Sequence, residues 1–437
     1  MAAAQPLPES YRIYHRLREG VPAGSMQLGA GRNLFRPPPG VFTFLASELS
    51  NLTSVARLAD YQHPLDEAET TAMAAVLANI LGLSGVTADD LFVIEGSSKG
   101  ISLVFQSVQD SCHTVALPLP TYFAAELSAL RRDVPVSCYY RPDTGQVFAL
   151  PTHPGRPRTL VMETIPNGVT GFVGSRVEDL TEPALTLVDC VFVIGNHPPP
   201  WASLSGRDLT RTVITLTASK DFAVPAARAG LLITKNDHVK DVARYDQLES
   251  TYSVSLVARR IILLYVLVVA AHHLWESSRA TSRGAAQDVL REACAGVGGA
   301  ACRQVLPPAS LIAGIVEHLA RMARRYAANW ALAQPVFTRE GSSATQPQIG
   351  YSCLLRLPAR VRGHSRGDLV RWVNQVGRRL RLKLNPSLLF GGNCTIWQEL
   401  YGTEFLLRVN LSDEPNQLRR VLAAWSIATS HPLETGS

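Results

Sequence analysis

Apolar residues along this chain keep two rhythms. Between Leu91 and Thr234 they gather in short unbroken runs: Leu91-Phe92-Val93-Ile94, Thr114-Val115-Ala116-Leu117, Leu160-Val161-Met162, Leu185 to Val188, Thr212 to Leu216 and Gly230 to Thr234. Pro135 to Tyr140 is a more mixed run. Short runs rich in β-branched side chains and closed by Gly, Pro or small polar residues predict strands buried on both faces. Helical stretches lie between or before them, at Ala68 to Leu83, from Gly96 through Val108 and at Ala124 to Leu130. Such alternation predicts an α/β fold with a mainly parallel sheet, whose ligands bind at the carboxyl ends of the strands.

From Ser253 the rhythm becomes helical. Ile261 to Ala271 is the most apolar window. It is too short to span a bilayer, which takes about 20 residues, and predicts a buried core helix. Leu311, Ile315, Leu319, Met322, Tyr326 and Trp330 recur every three or four positions and predict a long helix with one apolar stripe. Arg321, Arg324 and Arg325 fall among them as a solvated face or snorkelling stems. Beyond Pro335 a smaller unit is expected, with strands at Tyr351 to Leu357 and Phe405 to Asn410 and a closing helix at Gln417 to Ile427. Ser365 and Asp368 make a capping box for a further helix through Arg379. Residues 1 to about 40 are rich in Pro and Gly and predict an arm rather than a packed unit. The expected division is an N-terminal arm at 1–45, counted with the small domain, a large domain at 46–315, and a smaller α+β C-terminal domain at 316–437.

Composition narrows the picture. At 437 residues and 46% hydrophobic content the chain can bury a large core. The net charge of +6 is spread along the chain, so no nucleic-acid stripe is expected and the balance favours anionic substrates at most. Seven Cys, an odd number without a CxxC, argue against a disulfide framework or zinc site and for a reducing cytoplasm. Met1 to Glu9 lacks the basic region and apolar run of a secretory signal, so a cytoplasmic protein away from membranes is expected.

Candidate chemistry centres on Leu216-Thr217-Ala218-Ser219-Lys220, with Arg228 just before the strand that starts at Gly230. A Lys among small hydroxyl residues can act as an amine nucleophile on an aldehyde once its pKa is lowered. An Arg grips phosphate bidentately. Together they suggest pyridoxal 5′-phosphate held as an imine. Gly96-Ser97-Ser98 follows a strand and opens a helix, which makes an anion site or a plain N-cap; it lacks the first Gly of a Walker loop. Tyr122, after Pro120-Thr121, can lie flat on an aromatic cofactor or simply edge the core. Asp189 ends an apolar strand, where it can pair with a protonated pyridine nitrogen or cap a turn. Arg408, alone in the apolar run Phe405 to Leu411, needs a partner if buried: a substrate carboxylate or a structural salt bridge.

In this order, with Pro166-Asn167-Gly168-Val169-Thr170-Gly171 between them, these pieces resemble the fold-type I enzymes that use pyridoxal 5′-phosphate, specifically the class I/II, aspartate aminotransferase-like family. The resemblance runs from about Tyr61 to the last helix. It implies that family's fold, a seven-stranded-type, mainly parallel sheet in a large cofactor-binding domain beside a smaller domain. It implies that Lys220 carries the cofactor as an imine and shuttles the Cα proton. Arg228, Ser97, Ser98, Thr217 and Ser219 would hold the phosphate, Tyr122 would stack on the ring, Asp189 would pair with its nitrogen, and Arg408 would bind the substrate carboxylate. Tyr61 matches a Tyr that reaches the neighbouring subunit's phosphate, implying a homodimer with shared sites.

Two positions depart from the pattern. Gly168 stands where the family has an Asn that bonds the cofactor's phenolic oxygen, with Asn167 one place earlier as a substitute. Phe192 stands where a Tyr would donate to the same oxygen. After Tyr61, His63-Pro64-Leu65-Asp66 replaces the usual Gly-rich turn. The expected function is Cα deprotonation of an amino acid, aminotransferase-like, in specialised metabolism. Open beside it are β- or γ-elimination, replacement or carbon–carbon bond formation, on S-adenosylmethionine among others, with room for a second anionic or nucleotide-like co-substrate. A non-catalytic effector module is the reading of another class; it normally follows a winged-helix domain, which the Pro-rich first 40 residues cannot form.

Overall fold

The computed structural model of the chain describes residues 9–19, 21–51, 67–111, 114–140, 159–174, 176–177, 183–190, 203–251, 254–277, 286, 288–296, 305–361, 365–391 and 405–430. In chain order the elements are α1 (Glu9–Glu19), β1 (Met26–Gln27), α2 (Pro39–Ser50), α3 (Glu67–Asn79), β2 (Leu91–Ile94), α4 (Ser97–Val108), β3 (Thr114–Leu119), α5 (Phe123–Leu130), β4 (Val136–Tyr140), β5 (Thr159–Thr164), β6 (Leu185–Cys190), β7 (Thr212–Thr217), β8 (Gly230–Ile233), α6 (Asp237–Asp246) and α7 (Leu256–Glu276). After these come α8 (Ala309–Arg339), β9 (Ser343–Ala344), β10 (Ser352–Arg356), α9 (Arg366–Leu380), β11 (Leu382–Lys383), β12 (Asn385–Pro386), β13 (Leu406–Asn410) and α10 (Pro415–Ser430).

Seven strands form the main sheet in the order β2-β8-β7-β6-β5-β3-β4. Strands β3 to β7 pair in parallel, and β8 runs antiparallel to both its neighbours. Strands β2, β6, β7 and β8 are buried at every position, as expected where helices cover both faces of a sheet. Helix α7 packs against α3 and α8 with apolar residues on all sides. It is long and apolar enough to cross a membrane, yet 89% of its most apolar window is buried inside the protein. An all-round apolar helix of this kind belongs at the centre of a core.

A four-stranded sheet, β12-β13-β10-β9, forms a second layer system with α9 and α10. Its core gathers Leu355, Leu407, Trp372 and Trp425. Ser365 and Asp368 exchange the two hydrogen bonds of the capping box. Helix α8 joins the cores, giving Met322 and Tyr326 to the first and Trp330 and Phe337 to the second.

Two expectations give way. The smaller unit expected beyond Pro335 does not begin there, because the long helix runs through that residue to Arg339. The ring removes one backbone donor, a local loss that burial of Ala333 and Phe337 offsets. The Pro-rich start is also packed rather than loose. Strand β1 pairs in parallel with β11, α1 buries Ile13 and Leu17, and α2 buries Val41 and Phe44. Pro38 and Pro39 sit at the start of α2, where a missing N–H costs nothing. Among the described residues, Cys190 and Cys353 are free thiols.

Candidate functional site

Strands β3, β5, β6 and β7 end on one edge of the main sheet, and a cavity of about 610 Å³ opens there against the small sheet. Ser97, Ser98, Tyr122, Asn167, Asp189, Thr217, Ser219, Lys220, Arg228 and Arg408 all line it. Tyr61 and Phe192 lie outside the described residues.

Lys220 leaves the end of β7 in a tight turn. Phe222 N bonds the Ala218 carbonyl at 3.0 Å, Ala223 N bonds the Lys220 carbonyl at 3.2 Å, and Ala223 takes a positive φ of 53°. Thr217 Oγ1 lies 2.8 Å from Ser219 Oγ and 3.0 Å from the Ala229 carbonyl, so both hydroxyls serve the turn. The Lys220 amine donates to the Gly31 carbonyl. Burial pulls its pKa down to about 8; Arg408 and Arg228 push the same way and Asp189 opposes them. A lysine so placed has a usable fraction of neutral amine near pH 7, which a nucleophile requires.

Arg228 follows a short helical turn, Pro225–Ala227, and adopts a left-handed backbone with φ 50° and ψ 38°. Its Nη2 donates to the Glu95 carbonyl at 2.7 Å while the side chain stays exposed at the cavity wall. Gly96 has φ +81°, and a Cβ there would stand 2.6 Å from Arg228 Nη2, so only glycine leaves the guanidinium its place. The free amides at the start of α4 lie beside it. Amides and a guanidinium so placed can receive an anion.

Asp189 is the next-to-last residue of β6 and is 7% exposed. Thr215 Oγ1 donates to its carboxylate at 2.9 Å, and the Ser97 hydroxyl also supports it. Burial pushes its pKa up to about 6, against those hydroxyls and the charge of Lys220. Ser97 therefore serves the carboxylate, whereas Ser98 lies exposed at the helix start. Tyr122 is 49% exposed, its ring open to the cavity and 4.7 Å from that of Phe123. Asn167 is committed to the turn: Nδ2 donates to the Pro120 carbonyl at 2.8 Å, and Oδ1 accepts from Val169 N at 2.9 Å and Thr170 N at 3.1 Å.

Across the cavity, Arg408 sits in β13 between β10 and β12, in register with Leu354 and Asn385. Its guanidinium lies 4.9 Å from the Phe390 ring centroid, and Nη2 donates to the Gly29 carbonyl at 3.0 Å. Its buried Nε has no hydrogen-bond partner among the described residues. Burial draws its pKa down to about 10, so it remains a cation at neutral pH.

Several residues of this wall escape a reading of the sequence. Gly29 and Gly31 place their carbonyls on Arg408 and Lys220. Asn410 Nδ2 holds the carbonyls of Ala30 and Arg32, each at 2.8 Å. A Cβ on Gly31 would come within 2.8 Å of Arg408 Nη2, and one on Gly29 within 2.5 Å of Asn385 N. The repeated glycine in Leu28-Gly29-Ala30-Gly31 is the one local sign of a close backbone approach. Thr121 Oγ1, buried in the cavity wall, has no partner among the described residues. No sequence signal marks it.

No protein-family model matches the sequence, and no curated protein matches it by sequence. Solved structures do match it. An aspartate aminotransferase of Thermus thermophilus (a single mutant) superposes with a TM-score of 0.67 at 17% identity, covering 97% of each chain. An aminotransferase of Mycobacterium tuberculosis gives 0.68 at 15% identity, again covering 97% of each chain. Substrate-bound BacF of Bacillus subtilis gives 0.69 at 14% identity over 97% of this chain and 95% of that one. At such identities the likeness speaks to architecture, and across nearly its full length this chain has the fold of the class I, aspartate aminotransferase-like enzymes.

Proposed function

We propose that the chain is a pyridoxal 5′-phosphate enzyme that removes the Cα proton of an amino-acid substrate, in the manner of an aminotransferase. The observation that carries this reading is the placement of Lys220, Asp189, Arg228 and Arg408 around one cavity at the carboxyl edge of the sheet. The residues present fit the cofactor. Arg228 and the α4 amides suit a phosphate, the open Tyr122 ring suits a flat aromatic, and the buried Asp189 carboxylate suits a protonated ring nitrogen. The orphaned Arg408 Nε fits a carboxylate still to come.

When bound, the cofactor supplies an electron sink for the pair left by the departing proton. The chain does the rest. Lys220 would hold the cofactor carbonyl through its amine and, with the substrate amine in its place, would be free to take the proton from Cα. Asp189 in its anionic form would keep the ring nitrogen charged. Arg408 fixes the carboxylate and so aims the Cα–H at Lys220. The same reading includes a cytoplasmic homodimer, in which Tyr61 serves the partner's phosphate.

To test it, the protein is mixed with each amino acid and with S-adenosylmethionine in deuterated water and products are weighed by mass spectrometry. Exchange at Cα, absent in Lys220→Ala, is expected. A protein saturated with the cofactor that stays colourless would sink the proposal. One observation favours a specialised branch. Gly168 brings no side chain to the cavity, and Asn167 is spent on the Pro120 carbonyl and the turn amides. A phenolic oxygen with few donors is a poorer anion, so the coloured Lys220 complex should lose its proton at higher pH. Gly168→Asn should lower that midpoint by about one pH unit. Cβ exchange or a lost leaving group in the same mass spectra would favour elimination or replacement over transamination.

A further inference from the structure

The positive charge of the chain is concentrated in one stretch. Between Arg360 and Lys383 stand eight Lys or Arg against one acid, Asp368, so this stretch alone exceeds the net +6 of the whole chain. It holds α9 and β11, which border the cavity on the Arg408 side. Trp372, Val373 and Val376 turn one face of α9 into the core, and Arg371, Arg378 and Arg379 are exposed on the other. Arg381 follows in a left-handed backbone with φ 51°, and its Nη2 donates to the Ala23 carbonyl at 2.7 Å. Two residues on, Lys383 lines the cavity, in register with Gln27, which lines it too. Helix α1 packs beside α9. It turns Ile13 and Leu17 into the same core and Arg12 and Arg16 to solvent, while its Tyr14 reaches the cavity. The basic surface is therefore continuous with one rim of the cavity.

A solvated helix face usually mixes its signs, and other helices of this chain do so. Arg244 lies 3.4 Å from Asp241 on α6, and Arg321 lies 3.3 Å from Glu317 on α8. Arg371 is answered in this way by Asp368. Arg12, Arg16, Arg32, Arg378 and Arg381, by contrast, have no ion pair among the described residues. Arg12 and Arg16 even stand four apart on one helix, a like-charged spacing that weakens it. The cavity continues the same sign: its charged lining is Arg32, Lys220, Arg228, Lys383 and Arg408 against Asp189 alone. Unpaired cations on a rim and cations inside a cleft add their fields along the way in, where pairs would cancel them. We propose that Arg378, Arg381 and the cations beside them form an electrostatic guide that collects small organic dianions, phosphate monoesters above all, and feeds them to the Lys220 cavity. The use of the guide rests on the proposed function: it would capture the cofactor by its phosphate and favour substrates with a second acid group over cationic ones.

The test compares an anionic reagent with an uncharged one. Full-length protein is dialysed against hydroxylamine to free the amine. Lys220 is then arylated with trinitrobenzenesulfonate, an anion, or with fluorodinitrobenzene, which carries no charge. Mass spectrometry of the Lys220 peptide gives both rates, and their ratio cancels any change in the amine itself. At about 0.01 M salt, where charges are felt over roughly 30 Å, Arg378→Gln with Arg381→Gln should lower the ratio about threefold, and Arg378→Glu with Arg381→Glu about tenfold. At about 1 M salt, where that length is roughly 3 Å, both losses should vanish. Arg378→Lys with Arg381→Lys keeps the charge and should keep the ratio. Arg211→Gln with Lys235→Gln removes as much charge from the opposite edge of the main sheet, beside the start of β7 and the end of β8, and should also leave the ratio unchanged. An unchanged ratio in the Gln and Glu pairs, a loss in the Lys pair, an equal loss in the opposite-edge pair, or losses that persist at high salt would overturn the guide. In a second arm, capture of pyridoxal 5′-phosphate should follow the same order of variants, and capture of pyridoxal, which lacks the phosphate, should not; an order common to both would count against the guide. Arylation needs no cofactor. Should pyridoxal 5′-phosphate never join Lys220, the functional reading falls while the arylation ratio still judges the guide.

Discussion

The two walls of the cavity are built differently. On the sheet side, Asp189, Thr217 and Lys220 stand at or just past the ends of β6 and β7, whose register is fixed by neighbours on both sides. Each residue inherits its place from a ladder of backbone hydrogen bonds. On the opposite side, Arg408 is met by a carbonyl 379 positions away in the chain, and the segment bearing it is held by the side chains of Asn410 and Asn385. A wall made of strand ends should survive the loss of one side chain in shape while losing its chemistry. A wall made of a few long-range contacts should lose affinity through small displacements that leave the fold intact.

The largest expected effect lies on the sheet side. Lys220→Ala should remove the visible colour of the cofactor complex and lower turnover by about 10²–10⁴-fold, the range associated with a positioned acid–base group. Melting temperature should hardly change, because the turn is fixed by backbone bonds and by Thr217. A melting temperature that collapsed would show that the amine, and not the ladder, shapes this wall. On the other side, Arg408→Gln should cost about 10²-fold in kcat/KM, through KM and kcat together, because the guanidinium is proposed both to bind the carboxylate and to aim the Cα–H. A loss in kcat alone would mean that Arg408 shapes the reacting geometry more than it binds.

Asp189 gives the contrast a pH dependence. Its carboxyl is ordinary in the unfolded chain and is raised to about 6 by burial in the native one. Between roughly pH 4 and 6 the native state therefore holds the proton more tightly, and stability falls as pH rises through that window. Asp189→Asn should abolish this slope in the cofactor-free protein and raise stability at pH 7 by at most roughly 3 kcal/mol. Denaturant melts at pH 4 and pH 7 would check it; an unchanged slope would remove Asp189 as its source. Arg408, cationic throughout this range, should add no slope of its own.

The same contrast explains what was legible in the sequence. Strands β2 to β8 and the turn after Thr217 announce themselves locally, through unbroken apolar runs and a Lys among small residues. Arg408 is visible as one cation in an apolar strand, although its partners are not. Residues 21 to 36 show no period of 2 or 3.6. Their Pro and Gly content suggests a loose arm, yet they close the site, because the groups that hold them come from β13 and β12. Contacts of such sequence separation leave no local pattern to find. Ser97 was legible as a helix-start hydroxyl, but that it serves Asp189 depends on how α4 meets β6, which no spacing encodes.

The smallest effect probes the far wall most directly. Gly31→Ala adds one methyl whose carbon would stand 2.8 Å from Arg408 Nη2. That atom is the far end of a flexible side chain, so the guanidinium can give way, but only by leaving the Gly29 carbonyl or the Phe390 ring. Overpacking of this kind costs about 1–3 kcal/mol, and the displacement falls on the group proposed to bind carboxylate. Affinity for a simple carboxylate inhibitor should drop about tenfold. The midpoint of the coloured Lys220 complex should move less than the inhibitor weakens, because burial, and not Arg408, is the first influence on the amine. If instead Gly31→Ala shifts that midpoint as much as it weakens the inhibitor, the two walls respond as one body through the segment between them, and the distinction between ladder and long-range contact loses its force at this site.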